Sequence, residues 1–258
     1  MPHSHNHVHN AMLFDMHCHL DFVENAAEFE ALASRCGITS LSNTVAPQDY
    51  KGAYDVFANS EYAHIALGAH PWWIADGRIG EAELALFESL AEEAEFIGEV
   101  GLDFAGKRAE TRDVQLAAFE RILNACTGKL ISMHASAAEA ELLDLLESTG
   151  AASRNDCILH WYSGPSDQLK RALDLGCYFS VGKRMLATKR GREYARIIPL
   201  DRLLVESDMP SKENTHYTPA EWNADLTDAV LAIADARGAY AETILEAVGA
   251  TGNRLLNR

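Results

Sequence analysis

Two histidines separated by one residue, His17 and His19, close the first apolar run of the sequence, residues 12–14. If this run forms a β-strand, side chains two positions apart point to the same face, and the two imidazoles project together. Neutral imidazole is a good ligand for zinc, iron, nickel and similar metals. A lone His-x-His pair is weak evidence, because surface histidine pairs are common. The pair therefore predicts half of a metal site.

Further residues of metal-binding type follow later apolar runs, each at the carboxyl end of its run. They are Glu99, His134, His160 and Asp208, which bring the potential ligands to six. A single histidine at a strand end is more often structural, but six potential ligands that converge on one rim favour a metal site. Four histidines and two carboxylates are too many for one tetrahedral ion and suit two divalent ions that share a ligand.

Glu99 is the natural bridge between two ions, because a carboxylate has two oxygens. One ion would then be held by His17, His19 and Asp208, and the other by His134 and His160. Water between two cations has a lowered pKa, and Asp208 beside that water would accept its proton as a general base. Such a site hydrolyses phosphate esters, amides and lactones alike, so it predicts hydrolysis without naming the substrate. Zinc, magnesium and manganese all remain open as the metal.

Eight short apolar or β-branched runs alternate with helical patterns along the chain. The runs predict strands over residues 12–17, 38–45, 65–68, 96–100, 130–134, 157–160, 178–181 and 203–206. The patterns predict helices over residues 26–36, 47–60, 81–93, 112–126, 137–148, 165–175, 194–198, 219–237 and 241–256. This alternation implies parallel strands, and an α/β fold of the (β/α)8 TIM-barrel type fits the count and the length. An open doubly wound sheet is the alternative that periodicity leaves open.

The composition is ordinary for a soluble globular protein, with 48% hydrophobic and 23% charged residues among 258. No apolar stretch approaches the ~20 residues that cross a membrane, and no signal peptide is recognisable. The five cysteines form no CxxC pair, so we expect reduced thiols in the cytoplasm. Residues 1–10 carry four alternating histidines, which predicts a disordered His-rich tail before a single domain over residues 11–258.

The net charge of −16 argues against broad electrostatic capture of nucleic acid. It does not exclude a nuclease whose divalent metals make the pocket locally positive. Lys183 and Arg184 follow the seventh predicted strand, where barrel phosphate sites often form, so we expect them on the catalytic rim. A solvated helix face is the alternative for this basic segment.

Aromatic residues and one further histidine also follow strand ends. Trp161 is positioned to stack on a base or another flat group, whereas Trp72 and Trp73 are better explained as a packed loop. His70 is expected to contact substrate or water at the metal site, with packing against Pro71 as the alternative.

The ordered blocks that contain these residues resemble the TatD family of metal-dependent deoxyribonucleases, within the wider amidohydrolase-like barrels. The matching blocks are residues 15–21, 67–71, 97–103, 132–134, 159–164 and 198–208. The resemblance implies a TIM barrel with a one- or two-metal site, and 3′–5′ exonuclease or DNA-repair-type activity as in some members. Carried over by motif, the metal ligands are the six residues assigned above. DNA or a smaller phosphate-containing molecule is then the expected substrate, and we expect a monomer or weak oligomer.

The chain departs from the family pattern around the predicted pocket. Ser136 stands where members commonly have an arginine, Ala105 replaces half of an aromatic pair, and residues 211–217 lack the typical Arg-Gly…Asn-x-Pro segment. A small-molecule amidohydrolase or lactonase on the same two-metal barrel is therefore the alternative function. A metal-stabilised binding module without catalysis is a third interpretation, which the complete ligand set disfavours.

Overall fold

The computed structural model describes residues 13–33 and 36–257, and the predicted tail over residues 1–10 lies outside the described residues. Eight strands follow one another through this part of the chain, close to their predicted positions. They are β1 (Leu13–Cys18), β2 (Ile38–Asn43), β3 (Ala63–Ala66), β4 (Phe96–Asp103), β5 (Leu130–Ser136), β6 (Asp156–His160), β7 (Tyr178–Val181) and β8 (Leu203–Val205). Most strand residues are buried, as parallel strands covered by helices require.

Helices lie between and after the strands. They are α1 (Ala26–Ala33), α2 (Pro47–Phe57), α3 (Pro71–Ala75), α4 (Glu81–Ala91), α5 (Arg112–Ala125), α6 (Glu139–Ser148), α7 (Ala151–Arg154), α8 (Ser166–Asp174), α9 (Lys183–Leu186), α10 (Lys189–Ile197), α11 (Pro219–Arg237) and α12 (Ala241–Leu256). The sequence patterns missed α3, α7 and α9, because four or five residues are too few to show a helical period. Within the described ranges, none of these helices has the length and apolar character needed to span a bilayer.

The strands pair in parallel and in sequence order, β1 to β3 in one ladder and β4 to β8 in another. A bridge between Leu67 and Ile97 joins the chain after β3 to β4. On the other side, Asp208 N donates to His17 O at 2.9 Å and His19 N donates to Met209 O at 3.0 Å, which joins the chain after β8 to β1. This sequential order confirms the predicted (β/α)8 TIM barrel over the doubly wound alternative.

Apolar side chains fill the amino-terminal half of the barrel. They are Phe14, Met16, Leu41, Ala66, Phe96, Leu130, Ile158, Tyr178 and Leu204, joined by Leu255 and Leu256 of α12. Outside the strands, Phe119 of α5 and Leu142 of α6 are fully buried, as their helical spacing predicts. Because the interior is packed at this end, the polar residues of the strands gather at the carboxyl-terminal rim.

The carboxylate of Asp15 ties the first strand to the last strand and to α11. Its Oδ1 accepts from the backbone N–H groups of His17 (3.2 Å) and Ser207 (3.0 Å). Its Oδ2 accepts from Ser207 Oγ (2.5 Å) and Trp222 Nε1 (2.6 Å). Burial raises the pKa of Asp15 to about 6, although these hydrogen bonds act in the opposite direction. Asp15 therefore fixes the strand ends that carry His17 and Asp208.

Candidate metal centre

The two histidines of β1 each direct one ring nitrogen toward the same point. His19 Nδ1 lies 2.7 Å from the backbone oxygen of Asn43, which only accepts, so the neutral ring carries its proton on Nδ1 and its lone pair on Nε2. His17 Nδ1 lies 2.7 Å from Ser132 Oγ, and its Nε2 is buried without a hydrogen-bond partner among the described residues. Burial lowers the pKa of His17 to about 3, so this imidazole is neutral.

Glu99 lies at the centre of the cluster, within β4 rather than at its end, because the strand continues four residues beyond it. Its Oε2 lies 3.5 Å from Nε2 of both His17 and His19. Its Oε1 lies 2.9 Å from His134 Nδ1 and 2.9 Å from His160 Nε2. Burial opposes ionisation of Glu99, but the surrounding histidines hold its pKa well below the ordinary value. The two carboxylate oxygens thus face different histidines.

His134 is held between two carboxylates. Its Nδ1 faces Glu99, and its Nε2 lies 3.1 Å from Oδ2 of Asp103, the last residue of β4. Burial opposes protonation, but hydrogen bonds to Asp103 and Glu99 raise the pKa of His134 to about 9. Burial likewise opposes protonation of His19, whose pKa the carboxylates of Asp208 and Glu99 raise to about 9. Both shifts have the same cause, which is that nearby carboxylates favour a positive charge beside them.

His160, at the end of β6, packs its ring parallel to that of His17, with ring centroids 3.8 Å apart. Its Nδ1 has no hydrogen-bond partner in the described chain and lies 3.8 Å from Glu206 Oε2. Glu206 accepts from Ser180 Oγ at 2.5 Å and from Trp161 N at 3.1 Å. Burial and the nearby Asp208 raise the pKa of Glu206 well above its ordinary value.

Asp208 completes the cluster from the chain after β8. Its backbone has φ 54°, a left-handed conformation that is uncommon for a residue with a side chain. Its Oδ1 lies 3.7 Å from His19 Nε2 and 3.9 Å from His17 Nε2, and its Oδ2 lies 3.5 Å from Arg184 Nη1. Burial opposes ionisation, but His19 and the other histidines beside it lower the pKa of Asp208.

His70 faces the same cluster but has a different hydrogen-bonding role. Its Nδ1 accepts from Trp72 N at 3.1 Å, so in the neutral ring the proton resides on Nε2. That nitrogen lies 3.2 Å from Glu99 Oε1. Burial lowers the pKa of His70, which keeps the ring neutral. His70 is therefore placed to donate a hydrogen bond to Glu99.

The nitrogen and oxygen atoms of this cluster are suitable ligands for divalent cations. In each of three groups of residues, the potential ligand atoms lie within 4.8 Å of one another. The groups are His17, His19 and Glu99; His17, His160 and Asp208; and His70, Glu99 and His134. Imidazole nitrogens and carboxylate oxygens are the ligands that zinc and manganese accept in catalytic sites. A cation would accept the buried lone pair of His17 Nε2 and pair with the neighbouring carboxylates of Glu99 and Asp208.

A cavity of about 400 Å³ opens beside this cluster. The cavity lining includes His19, His70, Trp72, Trp161, Arg184 and Asp208. The Arg184 guanidinium also lies 5.5 Å from the centroid of the Trp161 ring. Lys183 does not line the cavity. Its Nζ lies 3.2 Å from Asp228 and 3.5 Å from Asp225, both on α11.

Sequence reasoning did not identify three residues that support the candidate ligands. Asp15 holds the backbone of His17, Ser132 contacts its ring, and Asp103 contacts the ring of His134. Asp15 and Asp103 carried a usable signal, because a carboxylate beside apolar strand residues must find hydrogen-bond donors when buried. Ser132 carried none.

Comparisons with known proteins place the chain in one family. The model of the TatD-related DNase family matches residues 14–257. A Bacillus subtilis protein called an uncharacterised metal-dependent hydrolase, YabD, is 27% identical over 77% of this chain and 80% of its own. A Citrobacter rodentium protein called a 3′-5′ ssDNA/RNA exonuclease, TatD, is 29% identical over 77% of this chain and 78% of its own.

Solved structures show the same fold. The TatD homologue YjjV from Escherichia coli superposes with a TM-score of 0.75 at 20% identity, covering 95% of this chain and 98% of its own. An organophosphorus hydrolase from Deinococcus radiodurans superposes with a TM-score of 0.57 at 15% identity, covering 96% of this chain and 93% of its own.

Proposed function

This chain belongs to the TatD-related DNase family, and from that premise we propose that it is a metal-dependent phosphodiesterase that shortens single-stranded DNA from the 3′ end. The observation that carries the proposal is the convergence of four histidines on the two oxygens of Glu99, with Asp208 beside two of these histidines and an open pocket next to the cluster. The relatives named as deoxyribonuclease or 3′-5′ exonuclease support the choice of substrate.

Two divalent ions form the proposed cofactor, with zinc, magnesium and manganese as the candidates. His17, His19 and Asp208 would hold one ion, His134 and His160 the other, and Glu99 would contribute to both. When bound, such ions lower the pKa of water and offset the charge of a phosphate group. The two pairs of histidines that face different Glu99 oxygens support this division.

Asp208 is the proposed proton acceptor for the attacking water. Its side chain is 16% exposed, lines the pocket and has a lowered pKa, so it is ionised near neutral pH. Asp208 is also fixed in position, because its backbone N–H is bonded to His17 O. These features meet the two requirements of a general base, which are geometry and an available lone pair.

Arg184, Trp161 and His70 are the proposed substrate-binding residues. Arg184 supplies a permanent positive charge at the pocket, 3.5 Å from Asp208, where a phosphate oxygen of the substrate would be attracted. Trp161 offers an indole ring beside it for a nucleobase. Lys183 contributes at most long-range attraction, because its ammonium group pairs with carboxylates of α11.

We also propose a cytoplasmic monomer or weak oligomer. Support for a reducing compartment comes from four buried cysteines that carry free thiols: Cys18, Cys126, Cys157 and Cys177.

The test uses protein without residues 1–10, so that their histidines cannot bind the added metal. The protein is stripped of metal, given Mg²⁺, Mn²⁺ or Zn²⁺ separately, and incubated with single-stranded DNA labelled at the 5′ end. We expect a ladder of progressively shorter labelled products, which identifies removal from the 3′ end.

The controls are Glu99→Gln and Asp208→Asn, which keep the side-chain size and remove the charge. Each should reduce cleavage at least a hundredfold while circular dichroism shows an unchanged fold. Intact DNA in all three metals, together with cleavage of an amide or lactone, would refute the nuclease assignment and support the small-molecule alternative.

A further inference from the structure

Asp103 links a candidate metal ligand to an exposed aromatic residue of the pocket. Its Oδ2 lies 3.1 Å from His134 Nε2 and accepts from Trp72 Nε1 at 2.5 Å. Its Oδ1 lies 3.0 Å from Arg108 Nε and accepts from Ala105 N at 2.8 Å. The side chain of Asp103 is only 1% exposed, so these hydrogen-bond donors take the place of the water molecules that would solvate an exposed carboxylate.

The contact with Asp103 determines which nitrogen of His134 faces the metal centre. A carboxylate oxygen accepts only, so the Nε2–H group of His134 donates to Asp103. With Nε2–H held by Asp103, Nδ1 is the nitrogen that faces Glu99 Oε1, 2.9 Å away, and its lone pair would bind the metal ion when the ring is neutral. A carboxylate that holds the outer N–H of a ligating histidine fixes the tautomer and the ring orientation.

Trp72 presents two separate chemical groups. Its indole N–H is committed to Asp103, whereas the residue as a whole is 46% exposed and lines the pocket. The Arg108 guanidinium lies 4.7 Å from the ring centroid. The packed-loop interpretation from the sequence therefore describes only part of this residue. An exposed indole whose polar edge is fixed is a rigid platform for a flat ligand group.

We propose that Trp72 and Asp103 position His134 for metal binding, and that the exposed indole of Trp72 stacks on the terminal base of the substrate strand. The stacking half rests on the proposed nuclease function, whereas the positioning half concerns metal affinity and does not. Through Asp103, the residue that contacts the base also orients a metal ligand.

The experiment separates the two groups of Trp72 by substitution in the full chain, where any metal bound by the histidines of residues 1–10 is the same in every variant. Trp72→Phe keeps a flat ring and removes the N–H donor, whereas Trp72→Leu removes both. Asp103→Asn removes the carboxylate, and Tyr240→Phe at an exposed position serves as the matched control. Mn²⁺ affinity is measured by calorimetry on metal-stripped protein. ¹⁵N NMR of the His134 ring in protein loaded with diamagnetic Zn²⁺ reports which nitrogen carries the proton.

We expect Mn²⁺ affinity to fall about 10- to 100-fold in Asp103→Asn, with loss of the single His134 tautomer. Mn²⁺ affinity should fall by a smaller factor in Trp72→Phe and by a similar factor in Trp72→Leu. It should not change in Tyr240→Phe. Mn²⁺ affinity and tautomer unchanged in both Asp103→Asn and Trp72→Phe would overturn the positioning half. Because these measurements use no DNA, they remain decisive even if the protein cleaves none.

The stacking half is tested by KM on single-stranded DNA with a normal or an abasic 3′ terminus. On the normal terminus, the KM of Trp72→Leu should be about tenfold higher than the KM of Trp72→Phe. On the abasic terminus, the two variants should have the same KM. Equal KM values for the two variants on the normal terminus would overturn stacking. Failure of the wild-type protein to cleave either DNA would instead refute the proposed function.

Discussion

Replacing Gly101 by alanine should destabilise the protein more than any replacement of a glycine that faces open space. A Cβ at Gly101 would lie 2.1 Å from the backbone oxygen of His134, more than 1 Å closer than ordinary contact. The residue also has φ +137°, which side chains rarely allow. The conformational cost is about 1–3 kcal/mol and overpacking adds about 1–3 kcal/mol. We therefore expect a loss of roughly 2–6 kcal/mol in the free energy of unfolding.

Two other glycines serve as references for the loss in the free energy of unfolding. Gly106 has φ +58° with nothing within 4 Å of an added Cβ, so Gly106→Ala isolates the conformational cost of about 1–2 kcal/mol. Gly52 lies in α2 with equally open space, so Gly52→Ala should stabilise by about 0.5–1 kcal/mol.

Urea unfolding of metal-stripped protein, followed by tryptophan fluorescence, gives the three free energies. Because the clash is with the backbone that carries His134, Gly101→Ala should also weaken Mn²⁺ binding, whereas Gly106→Ala and Gly52→Ala should not. If Gly101→Ala lost no more stability than Gly106→Ala, the close approach of β4 and β5 at this point would be refuted.

Three further predictions follow from the contacts around the metal centre. Asp15→Ala leaves buried N–H groups of His17, Ser207 and Trp222 without an acceptor, so urea unfolding should show a loss of about 3–5 kcal/mol; a loss below about 1 kcal/mol would contradict the contacts. Ser132→Ala removes the partner of His17 Nδ1 and should weaken Mn²⁺ binding about tenfold by calorimetry, with unchanged affinity as the opposing result. Removal of metal by a chelator should lower the melting temperature, since a ligand at 100 times its Kd stabilises by about 2.7 kcal/mol. Identical melting temperatures with and without each of Mn²⁺, Mg²⁺ and Zn²⁺ would show that none of these metals binds the folded state.

The fold was predictable from the sequence because parallel barrel strands are apolar runs of a few residues, each followed by an amphipathic helix. The errors in the predicted helix and strand bounds have local causes. α10 begins at Lys189, ahead of the apolar pattern near residue 194, because the Thr188 side chain accepts from Gly191 N and caps a basic first turn. β4 extends past Val100 to Asp103 because Asp103 N donates to the side chain of Gln115 and Asp103 pairs with Ser136 of β5.

The residue types of the candidate site could be predicted from the sequence. The protonated ring nitrogens and the side-chain contacts could not. Six candidate ligands could be proposed because each follows an apolar run. Which nitrogen of His19 or His70 carries the proton depends on the Asn43 carbonyl and the Trp72 amide, and no spacing rule links these groups to the histidines. Lys183 and Arg184 looked equivalent in the sequence. Their side chains point to different partners because successive residues of a helix lie about 100° apart around its axis.

Closure of the barrel and assembly of the metal centre are one structural event. The hydrogen bond from Asp208 N to His17 O joins the chain after the last strand to the first strand, and both residues are candidate ligands. Asp15 strengthens the same junction through Ser207. An open barrel would separate Asp208 from His17 and His19, so a metal bound by all three selects the closed state. Metal affinity and stability of the junction must therefore change together. Asp15→Ala, which alters no candidate ligand, should for this reason weaken Mn²⁺ binding as well as the fold.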